Sequence, residues 1–294
     1  RRFSDLITSY LFAPYFANHV GGDGVRGQAY AGSIQAYSGL IIAVLAPLLG
    51  AIADNGGRRK PWVLLYTLTR VAAMVGTGAA AVSDAVALAR HAAELGFAGA
   101  LVLPPFYYKG VPDDGLVAYI DAIVQSTSAK PIPVYLYHFP AMSGVPWHLA
   151  LLRRLLDSYP SRITGLKDSS GDMAYARSAA AISSDFAVFP STEAALPEAR
   201  SGTFAGCISA TANLNADLCA RAWRSGDTGA LDEAVTIRKL FEGKPLVPGV
   251  KALLAHIHGD PALGRVKPPL AAFSAADRAA VIAGHDAVRA KRVA

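Results

Sequence analysis

From residue 70 onward, short apolar segments alternate with longer segments of helical periodicity, and this alternation narrows the possible folds. Helices are predicted at 83–95, 114–126, 148–159 and 173–183. Strands that alternate with helices at this spacing pair in parallel, and six of them indicate barrel-type winding. The six predicted strands are VAAMV (71–75), AGALVL (98–103), IPVYLY (132–137), RITGLK (162–167), FAVFP (186–190) and AGCISA (205–210).

Two residues in this region are typical helix N-caps. Ser83 opens the first predicted helix and Asp172 precedes the last of the four, and both side chains accept hydrogen bonds from free backbone N–H groups. Beyond residue 210 the pattern is helical to the end. We therefore predict an α/β region over residues 70–214 and a helical region over 215–294.

Residues 1–69 follow a different pattern. The segments 6–22 and 27–53 contain no Asp, Glu, Lys or Arg, and each is near the roughly 20 residues that span a bilayer. Basic residues precede the first segment and follow the second, as expected for two spans with both ends on the cytoplasmic side. The alternative is two buried helices of a soluble protein. Residues 1–69 are thus predicted to be an apolar helical segment, with membrane contact through 6–53.

Charge and cysteine content restrict the partners. The net charge is +6, but much of the excess lies in the first 74 residues, and no basic stripe with interleaved aromatics follows, so we expect no nucleic-acid partner. Cys207 and Cys219 are too few for a disulfide scaffold or a zinc cluster, and we expect both to be buried. A reducing compartment fits, with residues 70–294 in the cytoplasm. No Walker loop or dinucleotide fingerprint is present, so no cofactor is expected, and with the zinc cluster excluded no metal is expected either.

Lys167 and Tyr137 are the candidate catalytic residues. Each ends a predicted strand, and the carboxyl ends of parallel barrel strands are where barrel chemistry occurs. A desolvated lysine becomes a neutral amine that can attack a ketone, and a phenol beside it can transfer protons. Taken singly, each residue has an alternative: Lys167 as a solvated strand end and Tyr137 as a core residue.

Five segments in order together resemble the dihydrodipicolinate synthase / N-acetylneuraminate lyase family. They are GTGA (76–79), ELGFAGALVLPPFYYKG (94–110), YLYHFPAMSG (135–144), GLKDSSGD (165–172) and GCISATANLN (206–215). The resemblance implies an α/β fold of the TIM-barrel (β/α)8 type and a class I aldolase or lyase. It also implies a homo-oligomer that acts on a 2-oxo acid of the pyruvate class.

The resemblance assigns roles to individual residues. Lys167 stands at the position of the Schiff-base lysine and Tyr137 at that of the catalytic tyrosine. Tyr107 matches a tyrosine that reaches the proton relay of a neighbouring subunit. Ile208 matches the residue whose backbone carbonyl faces the 2-oxo acid. The remaining substrate-binding candidates are Gly206 and Met142, and Met142 stands where the synthase has an arginine for the semialdehyde carboxylate. The missing arginine favours a different aldehyde or sugar-acid substrate.

The N-terminal part of the sequence differs from the pattern of this family. Its first two βα units, with the Thr-Thr-Gly-Glu loop that holds the pyruvate carboxylate, should precede the strand at 71–75. The segment GAIADNGGRRK (50–60) instead resembles the loop between the second and third helices of major facilitator transporters. The sequence therefore predicts a chimera with its seam near 68–71 and an impaired lyase. The alternatives are a non-catalytic membrane-anchored remnant and a soluble protein in which residues 1–67 replace the missing barrel quarter.

Two further residues give weaker signals. His138 directly follows Tyr137 and is either a substrate contact or a packed or solvated histidine. Glu193 lies near the end of the strand at 186–190. It is interpreted as a surface carboxylate, with selection of the aldehyde partner as the alternative.

Overall fold

The computed structural model describes residues 73–290. Within them, strands and helices alternate as far as residue 190, and helices follow. The strands are β1 (Met74–Gly76), β2 (Gly99–Val102), β3 (Val134–His138), β4 (Ile163–Asp168) and β5 (Ala187–Pro190). The helices are α1 (Val82–Glu94), α2 (Asp113–Ser126), α3 (Pro140–Ser143), α4 (Leu149–Ser158), α5 (Met173–Ala180), α6 (Leu196–Arg200), α7 (Ala212–Ser225), α8 (Thr228–Lys239), α9 (Leu246–His258) and α10 (Ala275–Ala290), with 3-10 turns at Glu193–Ala195 and Pro261–Gly264.

The five strands form one sheet in the order β1-β2-β3-β4-β5. The pairs β1/β2, β2/β3 and β3/β4 are parallel. Parallel neighbours require a crossover connection, and the intervening helices supply it. The predicted parallel arrangement is therefore confirmed for β1 to β4, β5 follows in the predicted order, and each of the four predicted helices is present within a few residues of its expected limits.

Strands β2 and β4 place glycines on either side of Tyr135, which lies on β3. A Cβ atom at Gly99 or at Gly165 would lie 2.7 Å from the Tyr135 ring. At Gly165 it would also lie 2.4 Å from the carbonyl oxygen of Ala187 on β5. The aromatic ring therefore occupies space that side chains on the adjacent strands would otherwise fill, and the sheet packs around it.

Helices cover the face of the sheet opposite the Tyr135 ring, where small and branched apolar side chains are buried. The fully buried ones include Val102, Val134, Leu136 and Leu166 of the strands and Ala85, Ala89, Ile120, Ile123, Leu151, Leu152 and Leu155 of the helices. The buried residues of α1 are alanines, whereas those of α2 and α4 include larger branched side chains.

One of the two predicted caps is confirmed and the other is wrong. The Asp172 carboxylate accepts hydrogen bonds from the backbone N–H groups of Ala174 (2.9 Å) and Tyr175 (3.0 Å) at the start of α5. Ser83 instead lies inside the first turn of α1, because the helix begins one residue earlier and Ala81 is its N-cap, without a side-chain hydrogen bond.

The predicted strand at 205–210 is wrong. The backbone N–H of Ile208 donates to the carbonyl of Pro190 (3.1 Å), but the next residues turn away. The Ser209 carbonyl accepts from the N–H of Ala212 (3.3 Å) as the chain enters α7. A strand needs a continued ladder of backbone hydrogen bonds, which this turn interrupts. The segment is a loop.

The described chain divides into two compact units, the first ending at Phe189 and the second beginning at Pro190. The core of the second unit comes from its helices, with Leu218, Ile237 and Leu253 almost fully buried. Arg289 of α10 forms hydrogen bonds to both carboxylate oxygens of Asp217 on α7 (2.9 and 3.0 Å). The domain limits at 69/70 and 214/215 stay predictions.

The expectations for the N-terminal region fall outside the described residues. These are the apolar helices, the membrane contact through 6–53 and the transporter-like segment at 50–60. From residue 73 to residue 290, no helix combines the length and apolar character needed to cross a bilayer.

Candidate active site

Tyr137 and Lys167 lie opposite each other at the carboxyl ends of β3 and β4. The register pairs Tyr137 with Lys167 and His138 with Asp168. Because successive strand residues point to opposite faces, Tyr137 and Lys167 share a face with Tyr135, whereas His138 and Asp168 belong to the helix-covered face. Both candidate catalytic side chains are half-buried.

The Lys167 Nζ atom lies 4.2 Å from the centre of the Tyr137 ring. A protonated lysine is attracted to the ring face at this distance. The hydroxyl of Tyr137 accepts a long hydrogen bond from Ser169 Oγ (3.4 Å). The Tyr137 ring stacks with that of Phe139, the residue that directly follows β3, with ring centres 5.8 Å apart. The structure thus brings an amine, a phenol and an alcohol together at two neighbouring strand ends.

Tyr107 and Met142 lie at exposed positions of the same unit. Tyr107 is 73% exposed, and its ring packs edge-on against that of Tyr108. Met142, on the short helix α3, is 72% exposed. The ammonium of Lys109 donates to the carbonyls of Phe106 and Ser143. It thereby joins the Tyr107 loop to the end of α3.

Gly206 and Ile208 belong to the second unit. Gly206 is buried and Ile208 is half-buried. The backbone N–H of Ile208 donates to the carbonyl of Pro190, the last residue of β5, and this hydrogen bond fixes the backbone at Ile208. The substrate-binding roles of these two residues stay predictions.

His138 is a packed, neutral histidine. It is 5% exposed, and its Nδ1 atom accepts a hydrogen bond from the backbone N–H of Trp147 (3.1 Å), which assigns the proton of the neutral ring to Nε2. Its ring stacks on Tyr175 with centres 4.2 Å apart. Burial lowers the pKa of His138 to about 4, although the nearby Asp172 acts in the opposite direction. Of the two interpretations of His138, the packed one describes its surroundings.

The helix-covered face also holds a cleft beside His138. Its volume is about 460 Å³, and His148, Asp172 and Tyr175 contribute to its lining. Asp168 is 2% exposed and accepts a hydrogen bond from the backbone N–H of Ser170 (2.9 Å). Burial raises the pKa of Asp168, and the hydrogen bonds from Ser170 oppose that rise. This carboxyl group therefore fixes the turn that follows Lys167.

Glu193 is completely buried, so its interpretation as a surface carboxylate is wrong. Its Oε1 atom accepts hydrogen bonds from Ser209 Oγ (3.0 Å) and Thr211 Oγ1 (2.5 Å). Arg238 Nη1 lies 3.6 Å from its Oε2 atom. A buried carboxylate requires such partners. No sequence pattern links Glu193 to Arg238, which is 45 positions away on α8.

Both cysteines are buried, as expected. Burial raises the pKa of Cys207 to about 12, and Glu193 adds to the rise. The thiol of Cys219 donates to Asn215 Oδ1 (3.3 Å). Within residues 73–290 no cluster of three or more His, Cys, Asp or Glu side chains is arranged to hold a metal ion.

A parallel βα sheet with a lysine and a tyrosine at neighbouring strand ends has the features of a class I aldolase or lyase. Residues 65–283 match the model of the dihydrodipicolinate synthetase family. The chain therefore belongs to this family, whose members are class I Schiff-base aldolases and lyases.

Relatives of the chain include lyases and synthases. An uncharacterized DapA-like lyase of Chloroflexus aurantiacus is 31% identical over 222 residues, which are 74% of each protein. A 4-hydroxy-tetrahydrodipicolinate synthase of Rhodospirillum centenum is 35% identical over 176 residues, 58% of this chain and 57% of that protein.

Solved structures show the fold. Dihydrodipicolinate synthase of Agrobacterium tumefaciens superimposes with a TM-score of 0.70 at 26% identity, covering 80% of this chain and 83% of that one. YagE of Escherichia coli, solved in complex with pyruvate, gives 0.67 at 27% identity, with 75% and 76% covered. The chain has the TIM-barrel-like α/β fold of this family.

Proposed function

We propose that this chain is a lyase or aldolase in which Lys167 forms a Schiff base with a 2-oxo acid of the pyruvate class. The observation that carries the proposal is the pairing of Lys167 with Tyr137, with Nζ 4.2 Å from the ring centre. YagE, a relative at 27% identity, was solved with pyruvate, which supports this substrate class.

The chemistry begins when the neutral amine of Lys167 attacks the ketone carbon of the 2-oxo acid. The resulting carbinolamine loses water to give the imine, and protons must reach the departing oxygen. In the proposal the Tyr137 hydroxyl acts as the acid and base that transfers these protons. Ser169 Oγ lies 3.4 Å from the Tyr137 hydroxyl oxygen. The imine then withdraws electrons while a bond to the adjacent carbon forms or breaks.

The remaining candidate residues define the substrate and the assembly. Ile208 and Gly206 contact the 2-oxo acid through their backbone in this proposal. Met142, in place of an arginine, favours an aldehyde or sugar-acid partner without a carboxylate at that position. Tyr107 extends from the surface of its unit, 73% exposed, and in a homo-oligomer its hydroxyl joins the relay of a neighbouring subunit.

Binding of the 2-oxo acid is weak in this proposal, because the family's Thr-Thr-Gly-Glu loop has no counterpart in residues 1–72. The carboxylate of the substrate then lacks two hydrogen-bond donors. Charge-assisted hydrogen bonds contribute roughly 1.5–3 kcal/mol each, so their loss weakens binding by about two to four orders of magnitude.

A second candidate function is that of a non-catalytic protein anchored to a membrane. The observation that favours it is the pair of uncharged segments at 6–22 and 27–53, flanked by basic residues. Carbonate extraction of membranes from cells that express the full chain tests this function. Retention in the membrane pellet supports an anchor, and complete release contradicts it.

Borohydride trapping tests the lyase proposal. The full chain is incubated with pyruvate and sodium borohydride, which reduces an imine to a stable secondary amine. Mass spectrometry then identifies the modified peptide. A carboxyethyl group on Lys167 supports the proposal, and an unlabelled protein contradicts it.

A further inference from the structure

Glu193 collects hydrogen bonds from three residues that follow the proposed substrate contacts. Its Oε1 atom accepts from Ser209 Oγ (3.0 Å), Thr211 Oγ1 (2.5 Å) and Asn215 Nδ2 (3.4 Å). Thr211 and Asn215 are, like Glu193, fully buried. One carboxylate oxygen thus joins the 3-10 turn after β5 to the loop that leads into α7.

Arg238 of α8 connects to the same cluster. Its Nη1 atom donates to Ser209 Oγ (3.0 Å) and lies 3.6 Å from Glu193 Oε2. Burying a carboxylate costs free energy unless a cation or several hydrogen-bond donors lie beside it. Glu193 has both. The serine hydroxyl therefore accepts from the guanidinium and donates to the carboxylate, which leaves it a single orientation.

Residues 206–208 of the loop have neither helical nor strand hydrogen bonding of their own, whereas the carbonyls of Ser209, Ala210 and Thr211 accept from backbone N–H groups at the entry to α7. The hydrogen bond from Ile208 to Pro190 holds the loop backbone at one point (3.1 Å). The side chains of Ser209 and Thr211 hold it at two more. The Ile208 carbonyl lies between the attachment at the Ile208 N–H and the one at Ser209, so its direction depends on both, and Cys207 directly precedes them.

We propose that Glu193 is a positioning residue that sets the conformation of the loop at 206–211 through Ser209 and Thr211, and thereby directs the Ile208 carbonyl. The role of that carbonyl rests on the proposed function. Glu193 itself, with no exposed surface, does not contact the substrate. Its effect is on binding of the 2-oxo acid rather than on the chemistry at Lys167.

Cys207 provides a local measurement that is independent of activity. It is 6% exposed, and alkylation by iodoacetamide requires the loop to open. Cys219, the other cysteine, lies within α7, is 0% exposed and serves as the internal reference. Because Glu193 also raises the pKa of the Cys219 thiol, the comparison is cleanest in a variant that keeps the Glu193 charge. Peptide mass spectrometry of the full chain distinguishes the two thiols.

Two variants distinguish the effect of loop opening on the alkylation rate of Cys207 from the effect of the Glu193 charge. Glu193→Gln removes the carboxylate charge, which also lowers the pKa of the Cys207 thiol and speeds alkylation directly. Ser209→Ala keeps the charge and removes one attachment, so faster alkylation there reports loop opening alone. Glu242→Gln, an exposed change in the same unit, is the matched control.

We expect alkylation of Cys207 to rise about tenfold or more in both variants, relative to Cys219, and to stay at the native rate in Glu242→Gln. In borohydride trapping, the half-saturating pyruvate concentration rises about tenfold, which equals about 1.4 kcal/mol, while the maximal trapping rate stays within twofold. Thermal unfolding verifies that each variant is folded. If Glu193→Gln does not fold, the alkylation rate in Ser209→Ala alone tests the proposal.

An unchanged Cys207 rate in folded Ser209→Ala would overturn the positioning role, whatever the trapping result. So would a loss of maximal trapping rate without a change in half-saturation. If the native protein is not labelled by pyruvate at all, the proposed function fails, while the alkylation rates still decide whether Glu193 holds the loop.

Discussion

Tyr137 and Lys167 are register partners on β3 and β4, and the lysine nitrogen lies 4.2 Å from the centre of the tyrosine ring. A lysine nitrogen over the face of an aromatic ring at this distance makes a favourable contact with the ring. Imine formation requires Lys167 Nζ to leave this contact and to attack as the neutral amine. In the proposed mechanism, this pairing places the Tyr137 hydroxyl near the carbon that the amine attacks.

Replacement of Tyr137 by Phe tests the acid–base role. The variant keeps the ring beneath Lys167 but removes the hydroxyl, so imine formation should slow by roughly 10²–10⁴-fold. The measurement is the rate of borohydride-trapped adduct at saturating pyruvate. Tyr108→Phe, which changes an exposed tyrosine of the same unit, should trap at the native rate. Equal rates for Tyr137→Phe and the native protein would exclude proton transfer by Tyr137.

Pyruvate should bind this chain weakly. We expect a half-saturating concentration for trapping about two to four orders of magnitude above that of Escherichia coli YagE measured in parallel, because two hydrogen bonds to the carboxylate are missing. An affinity equal to that of YagE would mean that residues 1–72 supply replacement donors.

Gly165→Ala should destabilise the first unit. The added methyl group would lie 2.4 Å from the Ala187 carbonyl oxygen and 2.7 Å from the Tyr135 ring, and overpacking of this kind costs about 1–3 kcal/mol. Urea unfolding followed by circular dichroism measures the change. Gly76→Ala on β1 is the control, because no described atom lies within 4 Å of its added Cβ atom. Equal stability of the two variants would contradict the tight packing around Tyr135.

His138 should make the protein less stable as the pH falls from about 6.5 to about 4. Below pH 6.5 the unfolded chain protonates this histidine, whereas burial holds the folded pKa at about 4. The unfolded state therefore binds more protons in this window, and the loss reaches at most about 3 kcal/mol. The measurement is the free energy of unfolding against pH for the native protein and His138→Asn. The difference should narrow towards pH 4, and a constant difference would contradict a buried neutral histidine.

The order of strands and helices and the pairing of Lys167 with Tyr137 could be predicted from the sequence, because both depend on local patterns. Apolar runs between amphipathic helices indicate parallel strands, and a lysine and a tyrosine at consecutive strand ends lie side by side in any such sheet. The Asp172 cap is equally local, since its partners are two and three residues away.

The errors arose where distant partners decide the structure. The segment 205–210 has the composition of a strand, but its chain turns towards α7 and Ser209 binds Glu193. The sequence predicts a surface position for Glu193, because its partner Arg238 is remote in sequence and its burial follows from tertiary packing. The Ser83 error is different, because no distant partner is involved: the helix begins at Val82, one residue before Ser83.

The most direct test of the account is the identity of the lysine that pyruvate labels. The native chain is treated with pyruvate and borohydride beside Lys167→Ala and Lys109→Ala, and the modified peptides are identified by mass spectrometry. We predict a carboxyethyl group on Lys167 in the native chain, the same adduct in Lys109→Ala and none in Lys167→Ala. An adduct of undiminished yield in Lys167→Ala would contradict it.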